Sequence, residues 1–391
     1  TVLFATSLHV VNTFGGWIIS MAETPLVSLL VPICNVEKYL RDCLDSARDQ
    51  TLQNIEVICI NDGSTDSSLA IINEYVAADD RFKVIDKPNS GYGDSMNKGI
   101  EAASGKYIAI LESDDFMELD ALEYMVDRCE SEELDLLKCN FWLYWSNPGK
   151  ELLYRHNWFF TAVSPEMELM GVHRAVDTPE IFWAKASIWS ALYRRGFLNE
   201  NNIRFLPTPG ASFQDTSFSF KAFSQAERFA CSSRAFVHYR QDNEKSSVNN
   251  PGKVFCVCDE HAEIERFLTE DRPDLKPELN MIRAKMKFYN YQWNLHRLAN
   301  PLKLEFLARY SEEFRNEFKM DSVIALDEGE GARYAFNKEE YQDAHDIAFD
   351  SHYFGVKFAC DDTGKIGTLI NYFKAGGMKY VLRVFRDKFV H

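Results

Sequence analysis

From Leu26 onward the sequence alternates short apolar runs with longer amphipathic segments, and this alternation constrains the fold more than any other feature. A strand-like run at residues 26–33 precedes a stretch, residues 35–48, in which apolar residues recur at helical spacing. Alternation of this kind is typical of a mostly parallel sheet covered by helices. Residues 26–111 therefore predict a doubly wound α/β half-domain.

The same periodicity places the remaining elements. It predicts strands at residues 55–60, 82–85, 107–111 and 134–139 and helices at residues 68–78, 95–103, 121–131, 216–223, 259–268 and 279–295. Asn35 is the expected N-cap of the first helix. Residues 141–160 are rich in aromatic side chains without a regular period, so we expect them to be irregular and to form a ligand wall or acceptor groove. From about residue 253 onward the sequence predicts helices.

Polar clusters follow three of the predicted strands, at residues 32–35, 61–66 and 112–115. In open α/β sheets, ligands bind beyond the carboxyl ends of the strands, where loops and helix N-termini converge. One cluster of this type is more often a capped turn than a binding site. Three at the same edge indicate a ligand site.

The third cluster, Glu112-Ser113-Asp114-Asp115, places three carboxylates within four residues. Their mutual repulsion at a strand end favours a bound divalent cation, and ligands that are all oxygen favour Mg²⁺ or Mn²⁺. The alternative is a solvated acidic turn that caps the next helix. Spacing alone does not separate the two.

Composition narrows the function and the domain organisation. A formal net charge of −16 argues against a nucleic-acid binder, which would carry a basic face. The nine cysteines are scattered and odd in number, as in a reduced, cytosolic protein.

We expect an extension at residues 1–23 that is poorly integrated, an α/β domain at residues 24–250 and a helical domain at residues 251–391.

Four segments in order, residues 27–35, 61–66, 99–107 and 112–115, resemble the family-2 glycosyltransferases of GT-A fold. The resemblance covers about residues 25–250 and is strongest before residue 130. It implies a Rossmann-like α/β sheet followed by a helical C-terminal domain. It also implies metal-dependent, inverting transfer of a hexose from a UDP-sugar to a glycan, lipid-linked or glycoprotein acceptor, in surface-glycan assembly.

The resemblance also assigns roles to individual residues. Pro32 and Asn35 would lie against the nucleotide base, and Asp62 would accept a hydrogen bond from uracil. Asp114 would bind Mn²⁺ or Mg²⁺, whereas Glu112 replaces the family's usual Asp near the ribose. The other nucleotide-sugar contacts it implies are Gly91, Asn97 and Ser113.

Residues 213–218 resemble the segment that supplies the family's catalytic base. Asp215 would be that base, with Gln214 in place of the family's first acid. The alternative is that Asp215 caps the helix that follows it. Near the end of the α/β domain, His238 is a candidate metal ligand and Arg240 a candidate phosphate clamp.

Residues 374–391 combine basic and apolar side chains. One interpretation is peripheral contact with the inner face of a membrane, and the other is a docking helix for the protein's own core. We expect a cytoplasmic enzyme whose C-terminal domain shapes the acceptor site or mediates homo-oligomer formation. Two rival functions are a nucleotidyltransferase-like enzyme, which the absence of a basic glycine-rich loop after the first strand disfavours, and a catalytically inactive carbohydrate-binding or assembly subunit.

Overall fold

The computed structural model describes residues 8–13, 16–21, 24–210, 212–243, 253–319, 336–352, 354–355, 374–380 and 382–383. The chain divides into two compact units, Thr1–Val248 and Asn249–His391. The strands are β1 Leu8–Thr13, β2 Gly16–Met21, β3 Val27–Ile33, β4 Ile55–Asp62, β5 Phe82–Lys87, β6 Tyr107–Ile110, β7 Phe116–Met117, β8 Leu136–Tyr144, β9 Asn157–Phe160, β10 Ala191–Arg194 and β11 Phe229–Arg240.

The helices of the first unit are α1 Leu40–Arg48, α2 Ser68–Ala78, α3 Tyr92–Ala102, α4 Ala121–Ser131, α5 Pro165–Leu169, α6 Glu180–Trp183, α7 Arg195–Glu200 and α8 Gln214–Gln225. The helices of the second unit are α9 Cys256–Arg266, α10 Lys276–Arg297, α11 Asn300–Glu317 and α12 Lys338–Phe349. Short 3₁₀ turns occupy Lys150–Leu152 and Ala175–Asp177, and a π-helical turn, Phe267–Asp271, extends α9.

A nine-stranded mixed sheet forms the centre of the first unit, in the order β5-β4-β3-β6-β10-β8-β11-β7, with β9 paired to β8. Its first four strands are parallel, because each is joined to the next through a helix. β10 then inserts antiparallel between β6 and β8. β1 and β2 pair only with each other and form a separate antiparallel hairpin.

The register of the parallel strands brings their carboxyl ends to one edge. β3 pairs with β4 up to Ile33 and Asn61, and with β6 up to Leu30 and Ile110. The backbone N–H of Leu111 continues this pairing with a hydrogen bond to the Leu30 carbonyl. The three polar clusters predicted from the sequence therefore lie at the same edge of the sheet.

Two of the predicted elements are wrong. Asn35 is not a helix cap: its φ is +53°, its side chain binds Thr65, and α1 begins only at Leu40. The aromatic segment is not wholly irregular either, because β8 continues to Tyr144 and pairs with β9. β9 exposes the rings of Trp158 and Phe159, whereas Phe141 of β8 is buried.

The second unit is helical within its described residues. α10 packs on α9 and α11, and α11 packs on α12. The rings of Tyr291, Tyr310 and Phe314 lie at its centre, with centroids 4.8 to 6.4 Å apart. Among the helices that the structure describes, none combines the length and the apolar character needed to cross a membrane.

Candidate active site

Asn35 joins the ends of β3 and β4 at the outer rim of the candidate site. Its side-chain oxygen accepts a hydrogen bond from the Thr65 backbone at 2.8 Å, and its own backbone N–H donates to the Ser64 hydroxyl at 3.1 Å. Pro32 is buried in β3, opposite Ile60. The left-handed backbone of Asn35 turns the chain out of the strand and over this rim.

Asp62, the last residue of β4, holds the glycine-rich loop that precedes α3. Its carboxylate accepts hydrogen bonds from the backbone N–H groups of Ser90 at 2.8 Å and Gly91 at 3.1 Å. The ammonium group of Lys87, itself buried, forms an ion pair with the same carboxylate. Asp62 therefore carries a compensated charge and fixes the loop where the nucleotide base is expected.

Two glycines allow the start of α3 to lie against residues 206–210. Gly91 has a φ of +97°, and a Cβ atom there would lie 2.6 Å from the Thr208 carbonyl oxygen. A Cβ atom at Gly93 would lie 2.1 Å from the carbonyl oxygen of Leu206. Both approaches exclude a side chain, so these positions require glycine.

Asn97 also joins α3 to this segment. Its amide donates to the Phe205 carbonyl and accepts from the Phe205 N–H, each at 2.9 Å. Both ends of the Asn97 amide are therefore paired in this arrangement, and its contact with the donor stays a prediction. Asn97 fixes the strand-like segment that leads to residues 206–210.

Hydrogen bonds fix the side chains of Glu112 and Asp114 at the acidic strand end. Glu112 accepts a hydrogen bond from the Tyr92 hydroxyl at 2.6 Å. Burial, aided by the charges of Asp114 and Asp215, raises the pKa of Glu112 to about 8. Ser113 is buried, and Asp114 accepts a hydrogen bond from the Asn243 amide at 2.7 Å.

Asp115 is fully buried and does not cap the next helix, whose N-cap is Asp120. One carboxylate oxygen accepts from the Arg240 backbone N–H at 2.8 Å. The other finds no hydrogen-bond partner among the described residues. Burial and the neighbouring charge of Asp114 raise the pKa of Asp115 well above its usual range.

Arg240 holds the acidic loop, residues 112–115, in place. Its guanidinium donates to the Asp114 carbonyl oxygen at 2.7 Å and lies over the rings of Tyr39 and Tyr144, 4.4 and 5.0 Å from their centroids. It also pairs with Asp42 at 3.2 Å. Only 4% of Arg240 is exposed, so in this structure its guanidinium holds the acidic loop, and its role as a phosphate clamp stays a prediction.

His238 is a buried residue of β11. Its Nε2 lies 2.9 Å from a Glu118 carboxylate oxygen, and its Nδ1 lies 2.8 Å from the side-chain oxygen of Asn157. The ring stacks on Phe116 with centroids 4.4 Å apart. Both ring nitrogens of His238 are paired in this arrangement, and its role as a metal ligand stays a prediction.

Asp215 lies in the first turn of α8, which begins after Phe213, a residue with a φ of +64°. Phe213 is therefore the N-cap, so the alternative role of Asp215 as a cap does not apply. Burial raises the pKa of Asp215 to about 6, against the opposing effects of the Lys185 charge and of backbone N–H groups at the helix start. A half-buried carboxylate with this pKa is suited to accept a proton near neutral pH.

Lys185 is a charged neighbour of the site that the sequence did not single out. Its ammonium lies 4.2 Å from the centre of the Tyr239 ring and 5.8 Å from those of Phe141 and Phe160. Its charge acts on Asp215 and Asp115. No local pattern marks it, because it lies in a short loop whose position depends on packing against distant strands.

The acidic strand end offers oxygen ligands for a divalent cation but not a full set of them. Within the described residues, no group of three His, Cys, Asp or Glu side chains forms a complete metal cage. Mg²⁺ in nucleotide sites is usually held by one or two carboxylates together with substrate phosphates. The buried, unpaired oxygen of Asp115 and the adjacent carboxylates of Asp114 and Glu112 supply oxygen ligands of that kind.

Comparison with known proteins gives three findings. The pattern of the family described as "Glycosyl transferase family 2" matches residues 28–224, half of the chain. EpsH of Bacillus subtilis (strain 168) is 38% identical over 228 residues, which cover 56% of this chain and 61% of EpsH, less than two thirds of its length. EpsJ of the same organism, an uncharacterized glycosyltransferase, is 31% identical over 68% of this chain and 70% of its own length.

Among solved structures, S. aureus TarS 1-349 in complex with UDP-GlcNAc superposes with a TM-score of 0.60 at 18% identity, over 85% of this chain and 91% of TarS 1-349. At that identity the likeness establishes the fold alone. The predicted α/β GT-A fold with a helical C-terminal region is confirmed.

Proposed function

The chain belongs to glycosyl transferase family 2, and on that premise we propose that it transfers a hexose from a UDP-sugar to a glycan hydroxyl with inversion of configuration. The observation that carries this proposal is the convergence of Asp215 with the acidic strand end. The charge of Asp215 raises the pKa of Glu112, and the charges of Glu112 and Asp215 both raise the pKa of the Tyr92 hydroxyl, which donates a hydrogen bond to Glu112. A proton acceptor therefore adjoins the group of carboxylates expected at the donor diphosphate.

In the proposed reaction the acceptor hydroxyl oxygen attacks the anomeric carbon of the donor. The bond from that carbon to the UDP oxygen breaks, and the Asp215 carboxylate takes the hydroxyl proton. Asp114 is the proposed ligand for Mn²⁺ or Mg²⁺, which when bound would neutralise charge on the departing diphosphate. Glu112 and Ser113 would adjoin the ribose and diphosphate.

The proposed base pocket lies at the rim formed by Pro32, Asn35 and Asp62, with Gly91 above it. Three donors already bind the Asp62 carboxylate, so uracil would take its remaining acceptor position. The UDP-GlcNAc in the TarS complex supports a uridine nucleotide for this fold. We retain a UDP-sugar as the donor and leave the hexose open.

The acceptor that we propose is a surface glycan, on a lipid or protein carrier, as the family resemblance implies. A lipid-linked acceptor would bring a cytoplasmic enzyme to the inner face of the membrane. The basic segment at residues 374–391 is the proposed contact, and residues 381 and 384–391 of it lie outside the described residues. Homo-oligomer formation through residues 251–391 stays a prediction.

The test is release of UDP from a panel of UDP-hexoses and UDP-N-acetylhexosamines, with and without Mn²⁺. We expect one donor to be turned over, and the Asp114→Asn variant to lose about a hundredfold or more in rate. Asp127→Asn, which changes an exposed carboxylate on α4, is the matched control and should leave the rate unchanged. If no donor is turned over and Asp114→Asn leaves UDP binding unaltered, the inactive-subunit alternative replaces the proposal.

A further inference from the structure

Tyr92 links, through its side chain and its backbone, two parts of the site that come from distant segments. Its hydroxyl donates to Glu112 at 2.6 Å, and its backbone N–H donates to the Gly210 carbonyl oxygen at 2.8 Å. Its ring packs edge-on against Phe205, with centroids 5.9 Å apart. Tyr92 therefore contacts both the acidic strand end and the segment that leads to Asp215.

Gln214 binds the same segment from the other side. Its amide nitrogen donates to the Thr208 hydroxyl at 2.9 Å and to the Gly210 carbonyl oxygen at 3.3 Å, and its amide oxygen accepts from the Ser212 N–H at 2.5 Å. Only 3% of Gln214 is exposed. A glutamate here could accept from Ser212, but it could not donate to the other two oxygens.

The Gly210 carbonyl oxygen thus accepts one hydrogen bond from Tyr92 and one from Gln214. Both lone pairs of a carbonyl oxygen can be used in this way. The result is a continuous chain of contacts from Glu112 through Tyr92 and Gly210 to Gln214, the residue that precedes Asp215. We name these four residues the Tyr92 relay.

The ends of the Tyr92 relay are the two positions where this sequence departs from the pattern it resembles, Glu112 in place of Asp and Gln214 in place of Glu. An aspartate at position 112 would withdraw its carboxylate by roughly 1.5 Å, the length of one carbon–carbon bond, and would lose the Tyr92 hydroxyl. A glutamate at position 214 would release the Gly210 carbonyl. Each departure therefore supplies one contact of the relay.

We propose that Tyr92 and Gln214 are positioning residues that couple the acidic strand end at Glu112 to the helix start that carries Asp215. This inference rests on the proposed function. Inverting transfer needs the proton acceptor to be held at the correct position relative to the donor, and a displacement of about 1 Å can cost a hundredfold in rate. The Tyr92 relay fixes that relative position through hydrogen bonds. The side chains of Tyr92 and Gln214 take no part in the bond-breaking step.

The kinetic test compares Tyr92→Phe, Gln214→Glu and their double variant, with Tyr75→Phe as the matched control. Tyr75 is a buried tyrosine of α2 that donates to Asp45 of α1 at 2.7 Å. We expect Tyr92→Phe to lower kcat about tenfold with a change in donor KM of less than about twofold. The double variant should lose little more than the worse single variant, because both break one chain of contacts.

Two kinetic outcomes overturn the inference. One is a loss in the double variant equal to the product of the single losses, which would mean that the residues act independently. The other is a wild-type kcat in Tyr92→Phe, or a fall matched by Tyr75→Phe. An inactive wild-type enzyme would instead count against the proposed function.

Hydrogen exchange tests the relay without turnover. Glu112→Asp should speed exchange of the Tyr92 and Ser212 amides about tenfold, since these donate to Gly210 and Gln214. The Tyr75→Phe variant should leave both amides as in the wild type. Unchanged protection of Ser212 in Glu112→Asp would show that the two ends of the relay are not coupled, whatever the enzyme's activity.

Discussion

Two groups of carboxylates, one in each unit, have pKa values that are shifted in opposite directions. In the candidate active site, burial raises the pKa of Asp215 to about 6 and that of Glu112 to about 8. In the helical unit, burial alone would also raise the pKa of Glu317, but the hydrogen bonds and charges of Arg283 and Lys287 lower it to about 2. Burial raises the pKa in both groups, so the difference between their pKa values comes from the positive charge that lies beside Glu317.

The two groups differ because the neighbouring basic side chains bind different acceptors. Arg283 binds both oxygens of Glu317, at 2.8 and 2.5 Å, and Lys287 adds a third contact at 3.0 Å. In the active site, Arg240 directs its guanidinium to a backbone carbonyl and to Asp42. The charge of Glu317 is therefore compensated within the fold, whereas at the acidic strand end the compensating charge would come from the proposed Mn²⁺ or Mg²⁺.

The largest effect that separates the two groups is expected from Asp215→Asn. Loss of the proton acceptor should lower kcat by about a thousandfold, while the melting temperature at pH 8 stays equal or rises because a buried charge is removed. Steady-state UDP release and thermal unfolding measured by circular dichroism test both parts. A variant that is both inactive and markedly less stable would place Asp215 with Glu317 as a structural carboxylate.

Glu317→Gln should show the reverse behaviour. Removing the carboxylate takes away the partner that binds Nη1 and Nη2 of the buried Arg283 and leaves Glu265 at its Nε, so the free energy of unfolding should fall by about 3 kcal/mol at pH 7. Because the folded-state pKa of Glu317 is lowered to about 2, its stabilisation is present above about pH 4.3 and is lost as pH falls towards 2.

Urea denaturation between pH 2 and 7 measures the effect of Glu317→Gln, with Glu312→Gln at an exposed position of α11 as the control. The variant should lose the acid-dependent part of its stability and keep its kcat per folded molecule. A wild-type stability at pH 7 would show that this ion pair contributes nothing net, and the contrast between the two units would disappear.

The smallest effect is expected from Lys185→Met. The Lys185 charge lowers the pKa of Asp215, so its removal should move the acid limb of the kcat profile from about pH 6 to higher pH by roughly half a unit. Among the described residues, the other charged or titratable neighbours of Asp215 are Lys138, Glu112, Tyr92, Tyr193 and Tyr239. Lys106→Met, at an exposed ion pair with Glu130, is the control. A shift to lower pH would contradict the assignment.

Much of the fold follows from local patterns in the sequence. Periodicity predicts the bounds of α2 and α4 correctly, and it predicts strands that end at Asp62 and near Glu112 within a few residues. The convergence of the three polar clusters follows from parallel pairing alone. These features depend on neighbouring residues and on the rule that parallel strands end at one edge.

The parts that the sequence did not predict depend on distant partners. Whether Asn97 faces a donor or the Phe205 backbone is decided by a segment 108 residues away. The pairing of His238 with Glu118 spans 120 residues, and that of Arg240 with Asp115 spans 125. A side chain's type shows what it can bind, but its partner is fixed only when the sheet has formed.

These long separations also bear on the order of folding. The contact of Arg240 with Asp115 closes a loop of 125 residues, whereas that of Arg283 with Glu317 closes one of 34. Closing longer loops costs more chain entropy, and contacts distant in sequence slow folding. A newly made chain should therefore acquire its helices first and its binding-competent site last. During that interval the protein would have native-like far-ultraviolet circular dichroism without affinity for nucleotide.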